Sequence, residues 1–165
     1  MPLDPSFVGR TYPPSSPYEV GREKIREFAL AVGDRNPAYL DPEAAKALGH
    51  PDVIAPPTFP IIISLPAAGQ VVDDPALGLD WSRVVHGDQR FVYERPVRAG
   101  DRLSAVVTVD SIKSMAGNDL INLASELRTP EGELVCTAYT LLVARGPEDE
   151  PGSASAAPSA AEGEA

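Results

Sequence analysis

The sequence predicts an α+β fold in which one buried helix is wrapped by a curved antiparallel sheet. Three observations carry that prediction. Apolar residues recur at the helical period in the first half of the chain and at the strand period in the second half. The run Thr58-Phe59-Pro60-Ile61-Ile62-Ile63-Ser64-Leu65-Pro66-Ala67-Ala68-Gly69, between the two halves, is apolar on all sides. A segment of that kind needs cover on every side, which a sheet curled around it supplies.

The elements follow in order. Residues Glu23 to Val32 place Ile25, Phe28, Ala29 and Val32 at i, i+3, i+4 and i+7, one apolar stripe of an amphipathic helix. Asp41 reads as an N-cap and Pro42 as the first helical residue. Gly49 closes that short helix after Leu48. The three isoleucines of the apolar run suit a strand. A buried helix from near Pro57 to Val71 is nevertheless expected, with Pro60 in its first turn and a kink near Pro66.

Four strands follow. In Val84 to Arg95, Gln89, Phe91 and Tyr93 share a face. In Leu103 to Asp110, Leu103, Ala105, Val107 and Val109 alternate with Ser104, Thr108 and Asp110. In Asp119 to Leu127, Ile121, Leu123 and Leu127 alternate with Asn122 and Glu126. Leu134 to Val143 is apolar on both faces and suits a central strand. Turns fall at Arg98-Ala99-Gly100-Asp101, Ala116-Gly117-Asn118 and Thr129-Pro130-Glu131-Gly132. The expected arrangement is a four-stranded antiparallel meander.

Bulk properties narrow the function classes. A chain of 165 residues suggests one domain. Residues 1–145 form the body, and 146–165, rich in Ala, Ser, Pro, Gly and Glu, form a tail expected to be disordered. The net charge of −10 argues against a nucleic-acid surface, although Glu148, Asp149, Glu150, Glu162 and Glu164 put part of it in the tail. No stretch reaches the roughly 18 apolar residues of a membrane span. The start Met1-Pro2-Leu3-Asp4-Pro5 lacks a signal-peptide layout, so a cytoplasmic location is expected. Cys136 is the single cysteine, and with His50 and His86 it makes no familiar zinc spacing, so no metal is expected.

The most specific local feature is Gly33-Asp34-Arg35-Asn36-Pro37-Ala38-Tyr39-Leu40-Asp41, set between two helices. It resembles the Gly-Asp-x-Asn-Pro-x-His signature of the MaoC-like (R)-specific enoyl-thioester hydratases and dehydratases. Four of the five residues compared match, as Gly33, Asp34, Asn36 and Pro37, and Tyr39 stands in for the histidine. The resemblance extends to Val53-Ile54-Ala55-Pro56-Pro57-Thr58-Phe59, where such proteins enter their central helix. It continues through Val85-His86-Gly87-Asp88-Gln89 to Arg98-Ala99-Gly100-Asp101, which looks like the opening of their sheet. Within the family, the chain looks most similar to actinobacterial (3R)-hydroxyacyl-acyl carrier protein dehydratase subunits and to MaoC-like N-terminal dehydratase domains.

The resemblance implies a hot-dog fold and reversible hydration of a 2-enoyl thioester carried on coenzyme A or on the phosphopantetheine of a carrier protein, without a further cofactor. That reaction needs a base for water and an acid for the α-carbon, which an Asp–His pair provides. It also needs a donor for the thioester oxygen, which a backbone N–H at the head of the central helix provides. By the resemblance, Asp34, Asn36 and Tyr39 occupy the catalytic positions, and Pro57, Thr58, Phe59, His86 and Gly87 the substrate-binding ones. The chain departs from the pattern twice. The phenol of Tyr39, with an ordinary pKa of about 10, is a poor base near neutrality. Pro57 has no N–H to donate.

Three functional readings follow. The chain is the accessory, acyl-holding subunit of a heterodimer whose MaoC-like partner carries the intact Asp–His pair. Alternatively, it is a self-sufficient homodimeric dehydratase using Asp34 with another helper such as His86. In the third reading it is a non-enzymatic acyl-thioester binding module. Each residue also has a plain structural role open to it. Asp34-x-Asn36-Pro37 suits a turn between helices. His86 suits a hydrogen-bonded strand end, His50 a helix end, and Cys136 a packed apolar strand. Arg90, Arg95, Arg98 and Arg102 form a cluster able to receive a phosphate or simply to face solvent.

Overall fold

The computed structural model describes residues 3–145. The tail 146–165, expected to be disordered, lies outside the described residues. After a 3-10 turn at Pro5–Phe7 come β1 (Tyr18–Glu19), α1 (Arg22–Ala31), α2 (Pro37–Leu40), α3 (Pro42–Ala47) and α4 (Ile61–Val72). A second 3-10 turn, Trp81–Arg83, leads into β2 (Val84–Tyr93), β3 (Arg102–Met115), β4 (Asn118–Arg128) and β5 (Leu134–Arg145). The strands form one antiparallel sheet in the order β1-β3-β4-β5-β2.

The expected stripes and caps are present. Ile25 and Ala29 of α1 are buried, and the Asp41 side chain accepts from Glu43 N–H at 3.0 Å to start α3. Two helix ends close alike. Gly33 N–H bonds Leu30 O and Asp34 N–H bonds Ala29 O after α1. Gly49 N–H bonds Lys46 O and His50 N–H bonds Ala45 O after α3. Both are Schellman closures with a left-handed glycine, at φ +76° for Gly33 and +90° for Gly49.

Two expectations are corrected. The buried helix starts at Ile61 rather than near Pro57, and residues 57–60 form tight turns. Pro57 and Pro60 lack the N–H a regular ladder uses, and a proline disfavours the helical conformation of the residue before it. Regular bonding begins once these prolines are passed, with Ser64 N–H on Pro60 O. Pro66 lies inside α4 on its exposed side, next to exposed Leu65. The second correction concerns the meander. Only β3-β4-β5 run consecutively, and β2 pairs with β5. The β2–β3 connection closes no hairpin and is pinned to the segment before α4, through Ala55 N–H to Val97 O and Ala99 N–H to Val53 O.

Alternation sorts the sheet into two faces. Across the inner face run the rows Val107-Ser125-Ala138-Phe91 and Ala105-Leu127-Cys136-Tyr93. Helix α4 packs on β3 and β4, burying Ile63, Ala67, Ala68, Val71 and Val72. The N-terminal arm lines the free edge of β3, with Gly9, Tyr12 and Ser15 donating to Val109, Val107 and Ala105. Among the described residues no strand covers the outer edge of β2.

Candidate functional site

The turn that carries the motif is built from its own side chains. Asn36 caps α2 by accepting from Ala38 N–H at 3.0 Å, and Pro37 takes the first helical position. Asp34 accepts from Asn36 N–H at 3.3 Å while its own N–H closes α1. Both Asp34 and Asn36 remain exposed. Tyr39, one turn further on, is directed inward and is only 8% exposed.

Tyr39 and Pro57 meet at an apolar-walled cavity of about 390 Å³ that is also lined by Ile54, Ala55, Tyr93, Glu94, Arg95 and Pro96. The walls are fixed by backbone bonds. Ile54 N–H reaches Ala38 O, Ala55 N–H reaches Val97 O, and Glu94 N–H reaches Val135 O. Tyr93 closes the ring by donating its hydroxyl to Pro57 O at 2.7 Å. Burial, and then the charge of nearby Asp34, raises the Tyr39 pKa above the usual phenol value. Burial also raises that of Tyr93, with smaller contributions from Cys136 and Tyr39. Both rings are therefore neutral hydroxyls at physiological pH.

The other predicted positions are dispersed. Phe59 is fully buried, edge-on to Phe28 with ring centres 5.4 Å apart. Thr58 is exposed, with no hydrogen-bond partner for its N–H among the described residues. His86 and Gly87 lie exposed on β2, away from the cavity wall. His86 Nε2 sits 3.2 Å from Gln89 Oε1, which also accepts from the Thr140 hydroxyl. Gly87 marks a bulge, where a Cβ would stand 3.1 Å from Val143 and 3.2 Å from Leu141.

The arginine cluster is committed elsewhere. Arg95 holds Asp101 and Glu133, Arg102 faces Glu19, Arg98 lies 3.8 Å from Asp101, and Arg90 stacks over the Tyr139 ring. Sequence reasoning missed Tyr93, Ile54, Ala55 and the Glu94–Pro96 corner as wall residues. Only the aromatic residue next to Glu94-Arg95-Pro96 at the end of a strand hinted at them. Among the described residues no group of three or more His, Cys, Asp or Glu is placed to hold a metal ion, and no helix is long and apolar enough to cross a membrane.

Residues 6–138 match the family described as "FAS1-like, dehydratase domain region". The chain belongs to this family. A UPF0336 protein of Streptomyces coelicolor is 68% identical over 149 residues, covering 90% of this chain and 99% of the relative. Among solved structures, the C-terminally truncated HadBC (3R-hydroxyacyl-ACP dehydratase) complex of Mycobacterium tuberculosis superposes with a TM-score of 0.75 at 35% identity. It covers 83% of this chain and 96% of that one. A MaoC-like dehydratase superposes with a TM-score of 0.79 at 34% identity, over 86% of this chain but 43% of its own. The single curled sheet around α4 is thus the hot-dog fold of the MaoC-like dehydratases, as the motif implied.

Proposed function

We propose that this chain is the acyl-thioester-holding subunit of a (3R)-hydroxyacyl dehydratase, working beside a MaoC-like partner that carries the complete Asp–His pair. The observation that carries the reading is the composition of the cavity. It has a protonated phenol, Tyr39, where the reaction needs a base, and an N–H-less Pro57 where it needs a donor. Losing a general base typically slows such a reaction by about 10²–10⁴-fold, and losing one oxyanion donor by about 10²–10³-fold. A chain so equipped still offers an apolar-walled pocket for an acyl thioester.

The partner reading draws on the HadBC relative, whose name describes a dehydratase complex. It draws also on the outer edge of β2, which no strand covers among the described residues and where Val85 and Val92 are exposed. The substrate would be carried on coenzyme A or on the phosphopantetheine of a carrier protein, needing no further cofactor, in fatty-acid metabolism in the cytoplasm. One observation favours the homodimeric enzyme instead: Asp34 is exposed and close enough to perturb Tyr39.

Hydration of crotonyl-CoA by the purified chain, alone and with a subunit bearing an intact Gly-Asp-x-Asn-Pro-x-His motif, separates the readings. Negligible turnover alone and substantial turnover in the mixture is the expected result. Robust turnover alone, abolished by Asp34→Asn, would install the homodimeric enzyme. Binding without turnover in either case would leave a binding module.

A further inference from the structure

A bound acyl thioester presents one strong acceptor, its carbonyl oxygen, and a buried acceptor left without a donor weakens binding. The donors that line the cavity are few. Ile54 N–H is taken by Ala38 O and Ala55 N–H by Val97 O. Glu94 and Arg95 N–H both go to Val135 O. The Arg95 guanidinium is spent on Asp101, Glu133 and Pro96 O. Pro57 and Pro96 have no N–H, and the Tyr93 hydroxyl is given to Pro57 O. The Tyr39 hydroxyl alone among these lining donors has no partner among the described residues.

Tyr39 is also well placed to keep its geometry. Its ring is buried, its N–H bonds Asn36 O at 3.0 Å, and the neighbouring Ala38 O is tied to Ile54 N–H. Burial and the nearby Asp34 carboxylate both keep its proton on. We infer that the Tyr39 hydroxyl is the hydrogen-bond donor that anchors the carbonyl oxygen of an acyl thioester in this cavity, in place of the backbone N–H that Pro57 cannot supply. The inference rests on the acyl-thioester reading above and gives the residue at the histidine position a task of its own. Tyr39 binds and does not abstract a proton, which fits a subunit that holds the acyl group while a partner performs the hydration. Tyr93 is a positioning residue for the same wall, because it fixes the Pro57 carbonyl that would otherwise compete for a donor.

The test uses the full chain and crotonyl-CoA labelled with carbon-13 at the carbonyl. Isotope-edited infrared spectra report whether that carbonyl gains a hydrogen bond, and calorimetry gives the affinity. The expected result is a shift of the carbonyl band to lower wavenumber on binding to the wild-type chain. Tyr39→Phe should abolish the shift and weaken binding about two- to tenfold, the worth of one neutral hydrogen bond. A shift that survives in Tyr39→Phe would assign the donor elsewhere, the Thr58 N–H included, and overturn the inference while leaving the proposed function intact. Binding by the wild-type chain with no band shift would overturn it without any variant, should Tyr39→Phe not fold. Failure of the wild-type chain to bind crotonyl-CoA, alone or with the partner, would sink the proposed function and this inference together.

Discussion

The Tyr93 hydroxyl donates to the Pro57 carbonyl oxygen across 2.7 Å, tying the end of β2 to the turn in front of α4. The same two residues face each other across the cavity wall. Tyr93→Phe keeps the ring and removes this bond. It should cost about 0.5–1.5 kcal/mol of stability, read as a lower urea midpoint with an unchanged slope.

The corner that follows Tyr93 is held by charge. Arg95 clamps Asp101 through two bonds of 2.8 and 3.0 Å, and Asp101 also accepts from Arg98 N–H. The Asp101 side chain is 7% exposed, whereas that of Glu133 on the other side of Arg95 is 51% exposed. Asp101→Ala should destabilise by about 3 kcal/mol, because it takes the buried partner from a largely buried guanidinium and leaves Arg98 N–H without its acceptor. Glu133→Ala should cost less than about 1 kcal/mol. Denaturant titration of the two variants checks the ranking.

Gly87 lets β2 lie against β5. A methyl there would press on Val143 and Leu141, which would have to give by a few tenths of an ångström. Gly87→Ala should cost about 1 kcal/mol, and Gly87→Val more. Thermal melts of both would test whether packing alone accounts for this glycine.

Alkaline pH should weaken the fold. Burial pushes the Cys136 thiol up to about 11, and burial together with a hydrogen bond to Asp74 pushes Tyr12 up to about 12. Both groups hold their protons more tightly folded than unfolded. Their contribution is complete below the unfolded values of 9.0 and 10.0 and is lost as pH rises towards 11–12. The melting temperature should therefore fall between pH 9 and pH 12. Cys136→Ala should melt lower at pH 8 but lose less on that rise.

Asp34→Asn retains a side-chain oxygen for the turn and removes the charge. In a complex with an intact partner the hydration rate should change little, and the melting temperature should hold. A collapse of the rate with an unchanged melting temperature would return the chemistry to this chain.

Much of this architecture was legible where a single local force decides the outcome. Asp41, Pro42 and Gly49 bracket a helix by capping alone, and the alternation of Leu103, Ala105, Val107 and Val109 fixes a strand face. The start of α4 was not legible, because an apolar run has no stripe to mark a boundary and the prolines act through missing donors. The pairing of β2 with β5 was not legible, because it joins strands far apart in the chain and leaves no mark in local composition. At the site, Tyr39 and Pro57 could be named from the motif, whereas Phe59 belongs to the core because the turn before α4 directs it at Phe28. Tyr93 and the Glu94–Pro96 corner reach the cavity only through the sheet's curl.

Gly33, Asp34, Asn36 and Pro37 knit the α1–α2 junction from their own backbone and side chains. Each residue of that junction has work to do before any substrate arrives: glycine in the left-handed corner, aspartate on the amide of Asn36, asparagine on the new helix, proline at its head. Folding alone can therefore account for the other four letters, whatever stands at the fifth. Those four letters speak for the scaffold rather than for turnover. The informative letter is the fifth, which no backbone bond obliges to stay the same.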